Sequence, residues 1–511
     1  MIGFNIVPSF PEYSGSPVGS CDVELPVSEL TSPSSEVPEG AVGTVSYRIF
    51  YPCEPTSNSR PIRWLPGPQK ASLAAYAKFL GANNLVAQGF SYFPHLLYYT
   101  TIPALRNAPL RQPNTKDGRW PVMVFSHGLG GSRNAYSHIC GQLASHGMIV
   151  IAPDHHDQSA PISYVRATDK TPAQILDYKR YSHTPSPEVY EGRDAQLKIR
   201  LWELGLIHDA ILKMDKGEAP QNLDANSITW RKKDTNEVLS QFRGVMDVHR
   251  PGSIIWAGHS FGACTTVQLL KSTYWGAARG EKAVNNPLFS PAADSSLAKQ
   301  ITPKSPAMLL DMWCLPLQSP QTKELWEKPM PCYAAGGPGG RGTLAILSEA
   351  FFKWSANTTA TKKALASNID NDSRPSARLF YPTTSAHLSQ SDFGILFGWL
   401  IKRVLKTEQP PERYIKLNAR AILEVLRENG YEVAETSAAD REEEEQSSKE
   451  GVTTALTKTG DWKILDPNGG IEGWKVIDMD KPASASSSPV RGRSPSVSST
   501  KETEVLGEVA T

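Results

Sequence analysis

Six short apolar runs, with helix-forming stretches between them, constrain the fold of this chain more than any other feature. They are Pro121 to Phe125, Met148 to Ala152, Ser253 to Ala257, Pro306 to Leu310, Met330 to Ala335 and Arg378 to Tyr381. Runs with so little polar interruption fit strands covered on both faces, as in a parallel sheet. The clearest helical pattern carries Leu197, Leu201, Leu204, His208 and Ile211 on one stripe, at the spacing of an amphipathic face. Strands alternating with helices predict an α/β chain: a mostly parallel central sheet with helices on both faces, joined by right-handed crossovers. An earlier segment, Thr44 to Tyr51, alternates Val45, Tyr47, Ile49 and Tyr51 with Ser46, Arg48 and Phe50, which predicts a strand with one better-buried face. A last helix is predicted over Glu412 to Asn429, because Pro410-Pro411 precedes it and Gly430 follows it.

Composition removes several classes. The 53 basic and 52 acidic residues of the 511 leave a net charge of +1, which argues against a protein built around nucleic acid. No apolar stretch approaches the ~18–20 residues of a membrane span. The start, Met1-Ile2-Gly3-Phe4-Asn5, lacks the pattern of a secretory signal, and Ile2 is incompatible with N-myristoylation. The six cysteines contain no CxxC pair; free, mostly buried thiols are expected, with no structural zinc and a cytoplasmic location. Beyond Gly430 the composition shifts to the charge run Asp440 to Glu445 and the Ser/Pro-rich stretch Ala483 to Thr500. Neither can bury enough apolar area to offset its ordering entropy. The expected organisation is one domain over residues 1–430 and a mostly disordered tail over 431–511. Trp462 and Trp474 lie between the two low-complexity stretches, with packing back onto the body open.

The chemistry concentrates at Gly258-His259-Ser260-Phe261-Gly262, a G-x-S-x-G pattern between the strand Ser253 to Ala257 and the helix-compatible stretch Ala263 to Lys271. Strand, sharp turn and helix are the setting of a nucleophile elbow, which presents a strained serine above the sheet. A serine hydroxyl needs a base, and the elbow architecture orders the partners as serine, acid, histidine. Of the eleven histidines, only His387 lies C-terminal to Ser260. Among the acids between them, Asp311 ends the apolar run Ala307-Met308-Leu309-Leu310, so it is expected at the edge of the sheet where catalytic loops gather. An oxyanion hole needs two backbone N–H groups. Phe261 supplies one by following the nucleophile. Leu129 supplies the other from His127-Gly128-Leu129-Gly130-Gly131, which follows the strand Pro121 to Phe125.

Taken in order, these segments resemble the platelet-activating-factor acetylhydrolase family, in its plasma and related intracellular forms. The match runs through Pro121 to Gly130, Leu143 to Val150, Asp154 to Ser159, Gly258 to Gly262, Leu310 to Trp313, Ser385 to His387 and Ser391 to Phe393, with Tyr13-Ser14 and Cys21-Asp22 near the start. The resemblance implies an α/β-hydrolase fold and cofactor-free, metal-independent hydrolysis of a short or oxidised sn-2 acyl ester of a phospholipid. By matching position, Ser260 is the nucleophile, Asp311 the acid and His387 the base, with Leu129 and Phe261 as the oxyanion hole. A general carboxylesterase on the same fold, and a non-catalytic scaffold with a regulatory tail, are the alternatives. Two stretches depart from the family pattern: Tyr274 to Ser305 reads as an insertion over the site, and Gly336 to Gly342 as a second insertion.

Two further signals have plain structural readings. The aromatic-rich cluster Phe90, Tyr92, Phe93, Leu96, Leu97, Tyr98 and Tyr99 is read first as buried core and second as a transient membrane-surface contact. Asp154-His155-His156-Asp157 is read as a loop at the active-site mouth, because adjacent histidines project differently and rarely share one metal.

Overall fold

The computed structural model describes residues 9–90, 95–218, 220–224, 235–276, 284–369, 372–398, 410–438, 440–441 and 460–481. Fourteen strands are resolved among these: β1 (Val18–Pro26), β2 (Thr44–Pro52), β3 (Pro61–Arg63), β4 (Thr101–Arg106), β5 (Trp120–Ser126), β6 (Ile149–Asp154), β7 (Ile162–Val165), β8 (Gln174–Asp177), β9 (Met246–Asp247), β10 (Ile255–His259), β11 (Ala307–Leu310), β12 (Thr343–Ile346), β13 (Arg378–Pro382) and β14 (Trp474–Val476). Twelve make one sheet in the order β14-β13-β12-β11-β10-β5-β6-β2-β1-β4-β3, with β9 beside β5. The run from β13 to β6 is parallel throughout. The antiparallel pairings lie towards its two ends, β14 on β13 and the β6-β2-β1 group on the other side. β7 and β8 form a separate hairpin.

The parallel strands read as continuous apolar runs because both faces of the sheet are covered. Val122, Val124, Ile149, Ile151, Trp256 and Leu309 point into one core with Leu197, Leu201, Leu204, Val267 and Leu270. Their neighbours Met123, Phe125, Val150, Ile255 and Leu310 point into a second core with Ile139, Leu143, Ile422 and Leu426. Four helices supply those partners: α1 (Ser137–Ser145), α2 (Pro187–Lys216), α3 (Phe261–Gly276) and α4 (Pro411–Glu428). Ser186 caps α2 by accepting from the Val189 N–H, Pro187 opens it and Gly217, at φ 82°, closes it. This mostly parallel sheet with helices on both faces is the α/β-hydrolase architecture. Among the described residues no helix is long and apolar enough to cross a membrane, and all six cysteines are free and buried.

Several expectations change. Met330 to Ala335 is not a strand: Pro331–Tyr333 is a 3-10 turn that buries Cys332 and Tyr333 from the side. A proline cannot donate to an interior ladder, and the fifth parallel strand is instead Thr343–Ile346, just after Gly336 to Gly342. In β2 all nine residues are buried, because it lies between β1 and β6. Arg48 is tolerated there by a bidentate pair with Asp22, at 2.7 and 3.0 Å. The described part of Tyr274 to Ser305 does not lie over the site. It packs at the far end of α3, where Val284 N–H donates to Trp275, and under β10, where Gln300 bonds Val248 and Gly252.

Residues 460–481, expected in a disordered tail, belong to the body. Trp474 stacks on Phe380 at 5.4 Å, β14 extends the sheet, and Ile464, Ile471 and Trp474 enter the second core. Asp461 accepts from Arg427, Arg441 and the Thr436 N–H. The rest of the charge run and all of the Ser/Pro-rich stretch lie outside the described residues. In the aromatic cluster Leu97 is buried and Tyr99 exposed; Tyr92 and Phe93 lie outside the described residues.

Candidate active site

Ser260 sits in the turn between β10 and α3 with φ at 55°, the left-handed region that side chains other than glycine rarely adopt. The turn is held by the Ser260 N–H on the Leu310 carbonyl, at 2.8 Å. The flanking glycines are required by close approach. A Cβ on Gly258 would lie 2.4 Å from the Gly262 carbonyl carbon, and one on Gly262 would lie 2.0 Å from the Ser126 carbonyl oxygen. Both obstacles are backbone, so neither side chain can be accommodated. Ser260 Oγ is buried without a hydrogen-bond partner among the described residues.

Asp311 and His387, 76 residues apart, meet at the same edge. Asp311 follows β11 with φ at 43°, and its N–H donates to Ile346. One carboxylate oxygen accepts from the Ser348 N–H and the other bonds His387 Nδ1 at 2.9 Å. His387 opens a 3-10 turn after β13. Its ring is flanked by Phe351, stacked at 4.3 Å, and by His259 at 4.4 Å. Burial pushes the Asp311 carboxyl up to about 7, against the pull of His259 and the Ser348 N–H. Burial, then the neighbouring His387, hold His259 well below the usual imidazole range, so it stays neutral. His259, Asp311 and His387 offer ligand atoms within 4.8 Å of one another. Asp311 is engaged with His387 and His259 Nδ1 with the Tyr136 hydroxyl at 2.8 Å, while His259 Nε2 makes no hydrogen bond among the described residues.

The glycine-rich loop after β5 passes against the serine, since a Cβ on Gly128 would lie 3.0 Å from Ser260 Cβ. This places Leu129 beside the elbow from one side and Phe261, the first residue of α3, from the other. The loop is tied at both ends. The His127 carbonyl accepts from Arg200 Nη1 at 2.7 Å, and the Gly130 N–H donates to Ser159 at 2.8 Å. Arg200 also bonds Asp157 and the Ser159 hydroxyl, at 2.7 and 2.6 Å, and its guanidinium lies 4.4 Å from the Phe261 ring. Arg200 and Asp157 are both fully enclosed.

Asp154-His155-His156-Asp157 therefore lies behind the glycine-rich loop rather than at a mouth. His155 and His156 share the Glu203 carboxylate at 2.8 and 3.0 Å, and their second nitrogens bond Ser126 and Ser46. With both ring nitrogens of each histidine engaged, the pair supports the loop. Sequence reasoning missed Arg200, Glu203 and Tyr136. For the first two a signal exists: Gln196, Arg200 and Glu203 recur at helical spacing within a helix whose other stripe is leucine, a polar row that a buried helix keeps only if the row has partners.

Fold and site define a class, the carboxylic ester hydrolases of the α/β-hydrolase fold. Residues 34–449 match the family described as platelet-activating factor acetylhydrolase, isoform II. The chain belongs to that family. A protein of Schizosaccharomyces pombe described as "Putative phospholipase A2" is 28% identical over 84% of this chain and 94% of its own length. The platelet-activating factor acetylhydrolase of Gallus gallus is 26% identical over 75% of this chain and 77% of its own. That of Canis lupus familiaris is 32% identical over 44% and 46%. A solved ferulic acid esterase from Streptomyces cinnamoneus aligns over 82% of this chain and 91% of its own, at 14% identity and a TM-score of 0.41.

Proposed function

We propose that this chain is a serine esterase that releases the short sn-2 acyl group of phospholipids, with Ser260 as nucleophile, His387 as base and Asp311 as its orienting acid. The observation that carries the reading is the convergence of a left-handed Ser260 at a strand–helix turn with a buried Asp311–His387 pair at 2.9 Å. Asp311 on Nδ1 fixes the tautomer that leaves Nε2 to take the serine proton, and it stabilises the imidazolium that results. Ser260 Oγ attacks the sn-2 carbonyl, and the Leu129 and Phe261 N–H groups receive the oxyanion. His387 returns the proton to the departing lyso-phospholipid. Water then attacks the acyl-serine by the same route, giving a free short carboxylate and the starting enzyme. No step calls for a metal or an organic cofactor.

Family membership supports the substrate class, and the test is acyl discrimination. Purified protein should hydrolyse phosphatidylcholine bearing an sn-2 acetyl group and leave an sn-2 oleoyl group in place. Equal rates on both would replace this reading with a general lipase. Turnover of nitrophenyl acetate without any phospholipid turnover would replace it with a general carboxylesterase.

A further inference from the structure

Arg193 is the one fully enclosed arginine of α2 that the oxyanion-loop network does not employ. It has no exposed surface and forms no ion pair among the described residues. The two nearby carboxylates are committed elsewhere, Asp194 to the Ser319 hydroxyl at 2.6 Å and Asp157 to Arg200 at 2.7 Å. Nη1 donates to Gln196 at 2.8 Å and the guanidinium also shares a side-chain hydrogen bond with the Tyr178 phenol, but Nε and Nη2 have no well-aligned acceptor of their own among the described residues. The guanidinium lies 5.1 to 5.7 Å from the rings of Trp313, Tyr181 and Phe261. Two of those rings belong to the site itself: Phe261 follows Ser260, and Trp313 stands two residues beyond Asp311 with its N–H on the Ser260 carbonyl.

A buried cation with two unmet donors is costly to keep. Aromatic faces return part of the cost, yet they offer no acceptor for an N–H in the guanidinium plane. Such a group beside a nucleophile matches an anion that arrives with the substrate. A guanidinium edge with two N–H groups suits the two free oxygens of a phosphodiester. In a glycerophospholipid that phosphodiester is only a short chain of bonds from the sn-2 carbonyl. We propose that Arg193 is the substrate anchor: Nε and Nη2 take the phosphate of the phospholipid when the ring of Tyr181 moves aside. Tyr181 lies half-buried between β8 and α2 and is the least buried of the three rings, so it is the side of the enclosure nearest solvent. This rests on the phospholipid reading above and deepens it, because it makes the phosphate, rather than the choline, the head-group feature that distinguishes a phospholipid from other short-acyl esters.

The test uses two esters and one soluble phosphodiester. In the wild type, sn-glycero-3-phosphocholine should inhibit nitrophenyl acetate hydrolysis competitively. Absence of inhibition at any attainable concentration overturns the anchor, and this measurement needs no variant. In Arg193→Met the kcat/KM ratio of the sn-2-acetyl phospholipid to nitrophenyl acetate should fall at least about tenfold, mostly in KM, as expected for a lost charge-assisted contact. Arg193→Lys, which keeps the charge but loses the fork, should recover part of that ratio. An equal fall for both esters, with the ratio preserved, would mean that Arg193 only props up the aromatic cluster, and would overturn the proposal. The parent reading fails separately, through a wild type that turns over nitrophenyl acetate but no phospholipid.

Discussion

Removing Arg200 should damage stability and turnover by separable routes. The Arg200→Met change leaves Asp157 as a lone carboxylate at zero exposure, having lost its 2.7 Å partner. Breaking a buried pair from one side costs about 3–5 kcal/mol, and the His127 carbonyl, left without its donor, adds to it. Urea denaturation followed by tryptophan fluorescence reads that loss. Adding Asp157→Leu removes the stranded charge, so the double variant should return to within ~2 kcal/mol of the wild type, as apolar replacement of buried pairs does. Turnover should not follow. In both variants the His127 carbonyl has lost its donor, and the Leu129 N–H is no longer held where the oxyanion forms. A fall in kcat of about 10²-fold, with KM little moved, is the scale of a lost oxyanion donor. Recovery of kcat together with stability in the double variant would show that Arg200 acts only through folding. A single-variant cost under ~1 kcal/mol would refute the buried-pair argument itself.

Other outcomes follow from the same geometry. Gly262→Ala sets a Cβ 2.0 Å from the Ser126 carbonyl, so it should abolish the folded enzyme or its activity; soluble protein of near-normal kcat would contradict the elbow packing. Asp311→Asn should move activity and stability in opposite directions. The folded carboxyl lies at about 7, above its ordinary 3.8, so the native state keeps a proton that the unfolded chain gives up. Wild-type stability is therefore fully retained below pH ~4 and falls as pH rises towards 7, by roughly 4 kcal/mol for this group. Asparagine abolishes that fall, so the variant should gain on the wild type from pH 4 to 7 while losing about 10⁴-fold in kcat. A flat stability difference across that range would contradict the burial argument. Trp474→Ala, which empties a site against Phe380, should cost about 3–5 kcal/mol, whereas Trp462→Ala, at 55% exposure, should change the unfolding midpoint little; equal effects would deny that residues 460–481 belong to the core.

The parts of this molecule that were legible in its sequence are those written locally. Two-sided burial leaves unbroken apolar runs, and five of the six runs overlap observed strands. Gly258, Ser260 and Gly262 are dictated by backbone contact and appear as a motif, while His387 is singled out by chain order. Asp311 was visible because an acid directly after Leu310 has nowhere to sit but the sheet edge. The failures arise where partners are distant. Met330 to Ala335 is as apolar as a strand, but Pro331 turns it, and the run packs sideways. Nothing near Trp474 indicates that Phe380 waits for it, so residues 460–481 resembled the polar stretches around them. Arg193 carries no local signal, and Arg200 only the polar row it shares with Gln196 and Glu203. Only the fold shows that Arg200 is fully spent on the glycine-rich loop and its Asp157–Ser159 support, while Arg193 keeps two donors without a well-aligned acceptor among the described residues.

The central claim is that Ser260 attacks a phospholipid ester. The most direct measurement is acetate release from an sn-2-acetyl phosphocholine ether lipid by wild type and Ser260→Ala, each with chelator present. The account predicts rapid release by wild type in chelator and a loss of several orders of magnitude in the variant. Release that survives in Ser260→Ala, or that chelator abolishes in the wild type, would contradict it.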